Sequence, residues 1–185
     1  MTCMSDSLAV RFVNTHYARR GEPVDVLATV RGLRDWLTDN DLTGRVSASD
    51  IAAFQELREA ARRVLGAVSA RTTPSSTDVA ALNHAAASAP VWPELVVPRS
   101  GDADLIVVQR SATDPVPLAL ARLAGSVIEL VTGDRRDRVQ ACGGPGCVLF
   151  FEQTRERRVW CSAGCGNRAR VARHAARVRA ERARS

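Results

Sequence analysis

Ahead of Gly133, apolar residues recur mostly at spacings of three and four, the period of an amphipathic helix. Leu8, Phe12 and Val13, with Ala9, predict a helix over Leu8–Tyr17, and Gly21-Glu22-Pro23 predicts a break. Val26, Leu27, Val30, Leu33, Trp36 and Leu37 predict a second helix. After a turn over 40–46, Ser47 or Ser49 is placed to cap the longest helix of this part, which runs to about Ala70. Its apolar stripe is Ile51, Phe54, Leu57, Ala61, Val64 and Leu65, and Arg58, Glu59, Arg62 and Arg63 are expected on a solvated mixed-charge face. Asp78–Ala87 reads as an alanine-rich helix. Asp114-Pro115 opens another that turns Leu118, Leu120, Leu123, Val127 and Leu130 to a core before Gly133 ends it. Between these two the pattern changes. Leu95-Val96-Val97 and Leu105-Ile106-Val107-Val108, separated by Pro98-Arg99-Ser100-Gly101-Asp102, predict a β-hairpin.

Beyond Gly133 the segments are shorter. Asp137–Ala141 is expected to be extended, Val148–Phe151 and Arg155–Trp160 are expected to be two short strands joined by a turn at Gln153-Thr154, and a helix is expected to begin near Cys161. The fold class is therefore α+β and mainly helical, with a helical part carrying one small hairpin over 1–133 and a small second domain over 134–185. Charge divides along the same line. The 26 basic residues are all arginine; 13 stand against 15 acids in residues 1–133, and 13 against 5 in residues 134–185. An all-arginine composition reflects coding bias, but coding bias does not segregate charge, so the basic character belongs to the second domain and points to an anionic partner, most commonly nucleic acid. Even Leu118–Val131 is broken by Arg122 and Glu129, which argues against a membrane span. A cytoplasmic protein is expected.

Four of the five cysteines form two close pairs, Cys142 with Cys147 and Cys161 with Cys165. Gly143-Gly144-Pro145-Gly146 supplies a turn that lets the first two sulfurs converge, and a helix start near the second pair favours thiolate over thiol. This spacing suits four thiolates around one zinc ion, Zn2+. Disulfides or a chance cluster are the alternatives; no apolar leader points to the oxidising compartment that disulfides require. Four protein ligands close a zinc site to water and substrate, and no nucleophile-elbow or metalloprotease motif is present, so no enzyme is expected and no catalytic residue is assigned. Cys3 reads as frayed terminus, and His16, His84 and His174 each stand without ligand neighbours.

Arg170, Arg173, Arg177 and Arg184 fall at i, i+3, i+7 and i+14, one stripe of a helix, while Val171, Ala175 and Val178 make a second stripe suited to packing. Arg168 begins the helix, and Arg155, Arg157 and Arg158 precede it. Such a helix could lie in a DNA groove, with guanidinium groups on phosphates and guanine edges. In a plainer reading Arg158 and Arg168 offset the charge of the zinc cluster, the distal arginines solvate a terminal helix, and Asn167 fixes the finger's loops. Asn14 has two readings as well, satisfying buried backbone groups or lining a ligand pocket.

Phe150-Phe151-Glu152, Arg157-Arg158-Val159-Trp160-Cys161-Ser162 and Cys165-Gly166-Asn167-Arg168-Ala169-Arg170 resemble the CGNR zinc-finger family over about the last fifty residues. The sequence departs from that family's usual pattern at Glu152 and Val159, and from the preceding domain's pattern at Arg11. Leu8-Ala9-Val10-Arg11-Phe12-Val13-Asn14-Thr15 resembles the opening of the ABATE domain, which usually precedes this finger and is described as a stress-induced transcription regulator. The resemblance implies a bacterial regulator that binds DNA, with a treble-clef-like four-cysteine zinc finger followed by a basic helix. The expected partners are duplex DNA, a small-molecule effector of unknown identity and a second copy of the chain. The alternative function is a zinc-stabilised adaptor whose basic helix docks on an acidic protein; a third is a thiol redox switch that releases zinc on oxidation.

Overall fold

Four of the helices start where a short polar side chain takes up a free N–H group. In the computed structural model, which describes residues 6–19, 21–42, 44–97, 105–153 and 158–184, Ser7 accepts from the Val10 N–H at the start of α1 (Leu8–Val13). Thr29 accepts from Gly32 at the start of α2 (Val30–Asp39). A 3-10 turn at Ala48–Asp50, closed by the Ser47 N–H donating to the Asp50 carboxylate at 2.7 Å, leads into α3 (Ile51–Ser69). Ser75 begins α4 (Ser76–Ala87), and Pro115 stands in the first turn of α5 (Pro115–Thr132).

Two findings differ from the sequence reading near the N-terminus. The helix predicted to Tyr17 stops at Val13, and the chain turns into a hairpin, β1 (His16–Arg19) with β2 (Glu22–Asp25), about Gly21 at φ 92°. The helix predicted from Val26 begins at Val30, because Asp25 accepts from the Leu27 N–H and Thr29 provides the cap.

The hairpin explains a third difference. Arg58 is not on a solvated face but 3 % exposed: its guanidinium grips the Asp25 carboxylate at 2.5 and 2.9 Å and reaches the Thr15 hydroxyl. Burial opposes ionisation of Asp25, yet Arg58, the Leu27 amide and Gln55 outweigh it and hold its pKa below the ordinary carboxylate value. Arg62 also turns inward, donating to the carbonyls of Val13 at 2.6 Å and Val148 at 2.8 Å.

Helices α1 to α5 contribute to one core that includes Phe12, Leu33, Phe54, Leu65, Leu82, Leu123 and Val127. By length and composition α5 is apolar enough to cross a membrane, but its Ala119, Leu123, Ala124, Val127 and Leu130 line this core. The hairpin predicted before it forms as β3 (Trp92–Val96) and β4 (Ile106–Arg110), antiparallel, with Leu95 opposite Val107; its predicted turn at 98–102 lies outside the described residues.

After a 3-10 turn at Arg136–Arg138, β5 (Val139–Ala141) pairs antiparallel with β6 (Phe150–Glu152). The sequence reading paired the strand around Phe150 with Arg155–Trp160 instead. Residues 154–157 lie outside the described residues, and 158–160 form no strand. Arg158 is folded back there, with its guanidinium 4.8 Å from the Phe151 ring centre and donating to the carbonyls of Trp160 and Cys161. The last element is α6 (Ala163–Arg182).

Candidate metal centre and nucleic-acid interface

The small sheet carries the first cysteine pair. Cys142 follows β5 directly, and its N–H donates to the Leu149 carbonyl at 2.9 Å; the Gly143–Gly146 turn then folds Cys147 back, closed by its N–H on the Gly144 carbonyl. Glycine is required at this turn. Gly146 has φ 68°, and a Cβ on Gly144 would stand 2.9 Å from Cβ of Cys165. Cys161 lies just ahead of α6, not inside its first turn as the spacing suggested, because Ser162 is the cap and accepts from the Cys165 N–H. Cys165 alone occupies the first turn.

The four sulfurs of Cys142, Cys147, Cys161 and Cys165 lie within 4.8 Å of one another. The Cys147–Cys161 edge, 3.8 Å, equals the roughly 3.8 Å that follows from tetrahedral Zn–S bonds of about 2.3 Å, and the Cys161–Cys165 edge, 3.4 Å, is somewhat shorter. The donor set and its spacing fit zinc. Without the ion the thiols resist joint ionisation: burial and neighbouring sulfurs push Cys147 up to about 11 and push Cys161 up as well. Burial also works against the Cys165 thiolate, but hydrogen bonds from Ser162 and the neighbouring thiols bring its pKa below the usual thiol value. A divalent ion supplies the charge that lets all four ionise, so its binding releases protons.

The surroundings absorb the remaining negative charge. Arg168 donates to Sγ of Cys165 at 3.1 Å, and the Cys161 N–H donates to Sγ of Cys142 at 3.3 Å. The four letters of the CGNR motif thus have separate roles. Cys165 is one of the four thiols placed to hold a metal, Gly166 leaves room for the Trp160 ring, which a Cβ would approach to 3.1 Å, and Arg168 reaches the cluster. Asn167, which the plainer reading had fixing loops, is exposed, and its side chain makes no hydrogen bond among the described residues.

Arg170, Arg173 and Arg177 project from exposed α6, within roughly 60° of one another around its axis at about 100° per residue. Arg173 donates back to the Ala169 carbonyl, and Arg177 lies beside His174 and Glu181. Arg158 and Arg168 stand at the metal cluster; Arg155 and Arg157 lie outside the described residues. The packing stripe read from Val171, Ala175 and Val178 is only partly used, since Val171 is 61 % exposed; Cys165, Gly166 and Ala169 are the buried face instead.

The residues that tie this centre to the rest were mostly missed. Asn14 donates to the Phe150 carbonyl at 2.8 Å and accepts from its N–H at 2.9 Å, which is the backbone-satisfying role among its two readings. Glu152 accepts from the Ser7 N–H at 2.6 Å and pairs with Arg135 at 3.2 Å. Arg62 bonds the Val148 carbonyl from 86 positions away, so no local sequence signal could have found it.

Two family profiles match the sequence: ABATE, described as "Putative stress-induced transcription regulator", over residues 6–134, and the CGNR zinc finger over residues 138–184. Neither is an enzyme family. No curated protein matches the chain. The geometry of the four sulfurs and the two profiles agree, and the chain belongs to the ABATE family, with a CGNR zinc finger at its C-terminal end.

Proposed function

We propose that this chain is a bacterial transcription regulator of the stress response that binds duplex DNA through α6 in the cytoplasm, without catalytic activity. The observation that carries this reading is the exposed arginine face of α6, Arg170, Arg173 and Arg177, held at one end by the cysteine cluster. A helix of 20 residues extends about 30 Å, and only its first two turns are packed, so most of it is open to a groove. Asn167 stands on the same exposed surface one turn before Arg170, a side chain suited to an adenine edge. Arg158 and Arg168 serve the metal cluster in this reading, and the ABATE part senses a small effector or pairs two copies. Four sulfurs leave zinc no open position, which supports a folding role for the ion.

The test is binding of the zinc-loaded protein to mixed duplex DNA across a salt series, beside R170A/R173A/R177A. The wild type should lose affinity on a log–log slope of about −0.9 per phosphate contacted, and the triple variant should bind weakly on a slope shallower by up to about 2.7. Equal behaviour of the two proteins would refute α6 as the reader.

One observation favours a second reading. Pro145, Val159, Trp160, Ala169, Ala172 and Ala176 line a groove of about 450 Å³ beside Arg173, which would suit an acidic, partly apolar protein segment. Absence of DNA binding, with zinc bound and the fold intact, would move the adaptor ahead.

A further inference from the structure

The β3–β4 hairpin has one face with no charged residue among those described. Opposed residues in an antiparallel pair share a face, so the register Leu95↔Val107 places Pro93, Leu95 and Val107 together, with Val91 and the flanking Val97 and Leu105 continuing the same alternation. These are not half-buried residues of a core. Val91 is 46 %, Leu95 63 %, Val97 69 %, Leu105 57 % and Val107 63 % exposed. The opposite face carries Trp92 and the Glu94–Arg110 ion pair at 2.5 Å. A two-stranded hairpin is at best marginally stable in water unless its apolar face is covered.

We infer that this face pairs with the same face of a second copy, making the chain a homodimer joined through its β3–β4 hairpins. The composition argues for a copy over a different protein. Interfaces between unlike, transient partners rely on tyrosine, tryptophan and arginine anchors within a polar rim, whereas permanent homodimer interfaces resemble a divided core. Apart from Gln109, which the register places opposite Pro93, these positions are apolar, and none is charged, so against itself the face leaves no charge buried without a partner. Size agrees. The exposed residues offer roughly 500 Å² per copy and about 1,000 Å² for the pair, the lower limit for a specific interface. Two sheets packed face to face, about 10 Å apart, meet in this way.

The pairing does not depend on DNA binding, and its test uses no DNA. The zinc-loaded full chain is studied by sedimentation equilibrium over a broad dilution series, beside L95D/V107D. The expected result is a wild-type mass of twice 19.9 kDa that falls to a single chain on dilution. In the variant the dissociation constant should rise at least about a hundredfold, because it buries like charges face to face, while zinc content and near-UV circular dichroism stay unchanged. Hydrogen exchange provides a second measurement that needs no variant: amides of 92–97 and 106–110 should be more protected in concentrated than in dilute wild type. A wild type that stays monomeric throughout overturns the proposal. Vesicles of phosphatidylcholine and phosphatidylglycerol then separate the other occupants, since co-sedimentation would mean that a membrane surface covers the face and its absence would leave an unlike protein. A dimer that survives in the variant, with exchange unchanged in the hairpin, also overturns it by placing the interface elsewhere.

Discussion

Arg71 ends α3 in a left-handed backbone conformation, φ 56°, where its N–H bonds the Val68 carbonyl and the next N–H, of Thr72, bonds the Ala67 carbonyl. This closure satisfies the last carbonyls of a helix and usually uses glycine, because a Cβ costs energy at positive φ. Arg71→Gly should therefore stabilise the protein by about 0.5–1 kcal/mol, a rise in the thermal midpoint on the order of 1–4 °C for a chain of this size. An unchanged or lower midpoint would show that the arginine side chain has a compensating contact. What could be read at this scale depended on whether a residue's partners are local. The four cysteines were legible because their spacing already implies convergence. Arg58 was not: the acids beside it on its helix suggested a solvated face, but its partner, Asp25, is delivered by a hairpin that the spacing of Leu8, Phe12 and Val13 concealed.

Between elements, α6 and the metal depend on each other. Six residues make up the finger's own cluster, and four of them are the cysteines, with Phe151 and Trp160. So little apolar surface cannot fold a helix, and the ion must serve as its centre. Removal of zinc by a strong chelator should melt α6 and expose Trp160, seen as lost far-UV ellipticity and red-shifted emission, while α1 to α5 keep their own core. Loss of the whole fold on chelation would contradict this division. Helix α3 was legible from its apolar period, α4 from its alanine content and α5 from Asp114-Pro115 and its apolar period, whereas α6 begins at Ala163, beyond the expected start near Cys161. The pairing of β6 was not legible, because three-residue strands carry no periodicity and the choice between β5 and the segment after Gln153 is made by contacts far along the chain.

At the scale of the whole molecule, the finger is joined to the body. Phe150 and Val139, beyond the expected division at 133, lie in the main core, and Asn14, Arg62 and Glu152 tie the small sheet to α1 and α3. Asn14→Ala would leave the N–H and carbonyl of Phe150 buried without partners, a loss of about 2–4 kcal/mol that should lower the thermal midpoint by roughly 5–10 °C. If body and finger form one cooperative unit, Trp36 and Trp160 should report the same shift; separate transitions would show that the body unfolds without the finger. The joint also orders events during synthesis. Ser7 and Glu152 are bonded across 145 positions, a stretch that takes a ribosome on the order of 10–30 s to add. Helix α1 is made before the α3 and α5 it packs on, so until α5 has followed a nascent chain presents Phe12 and Val13 to whatever chaperone waits at the exit tunnel.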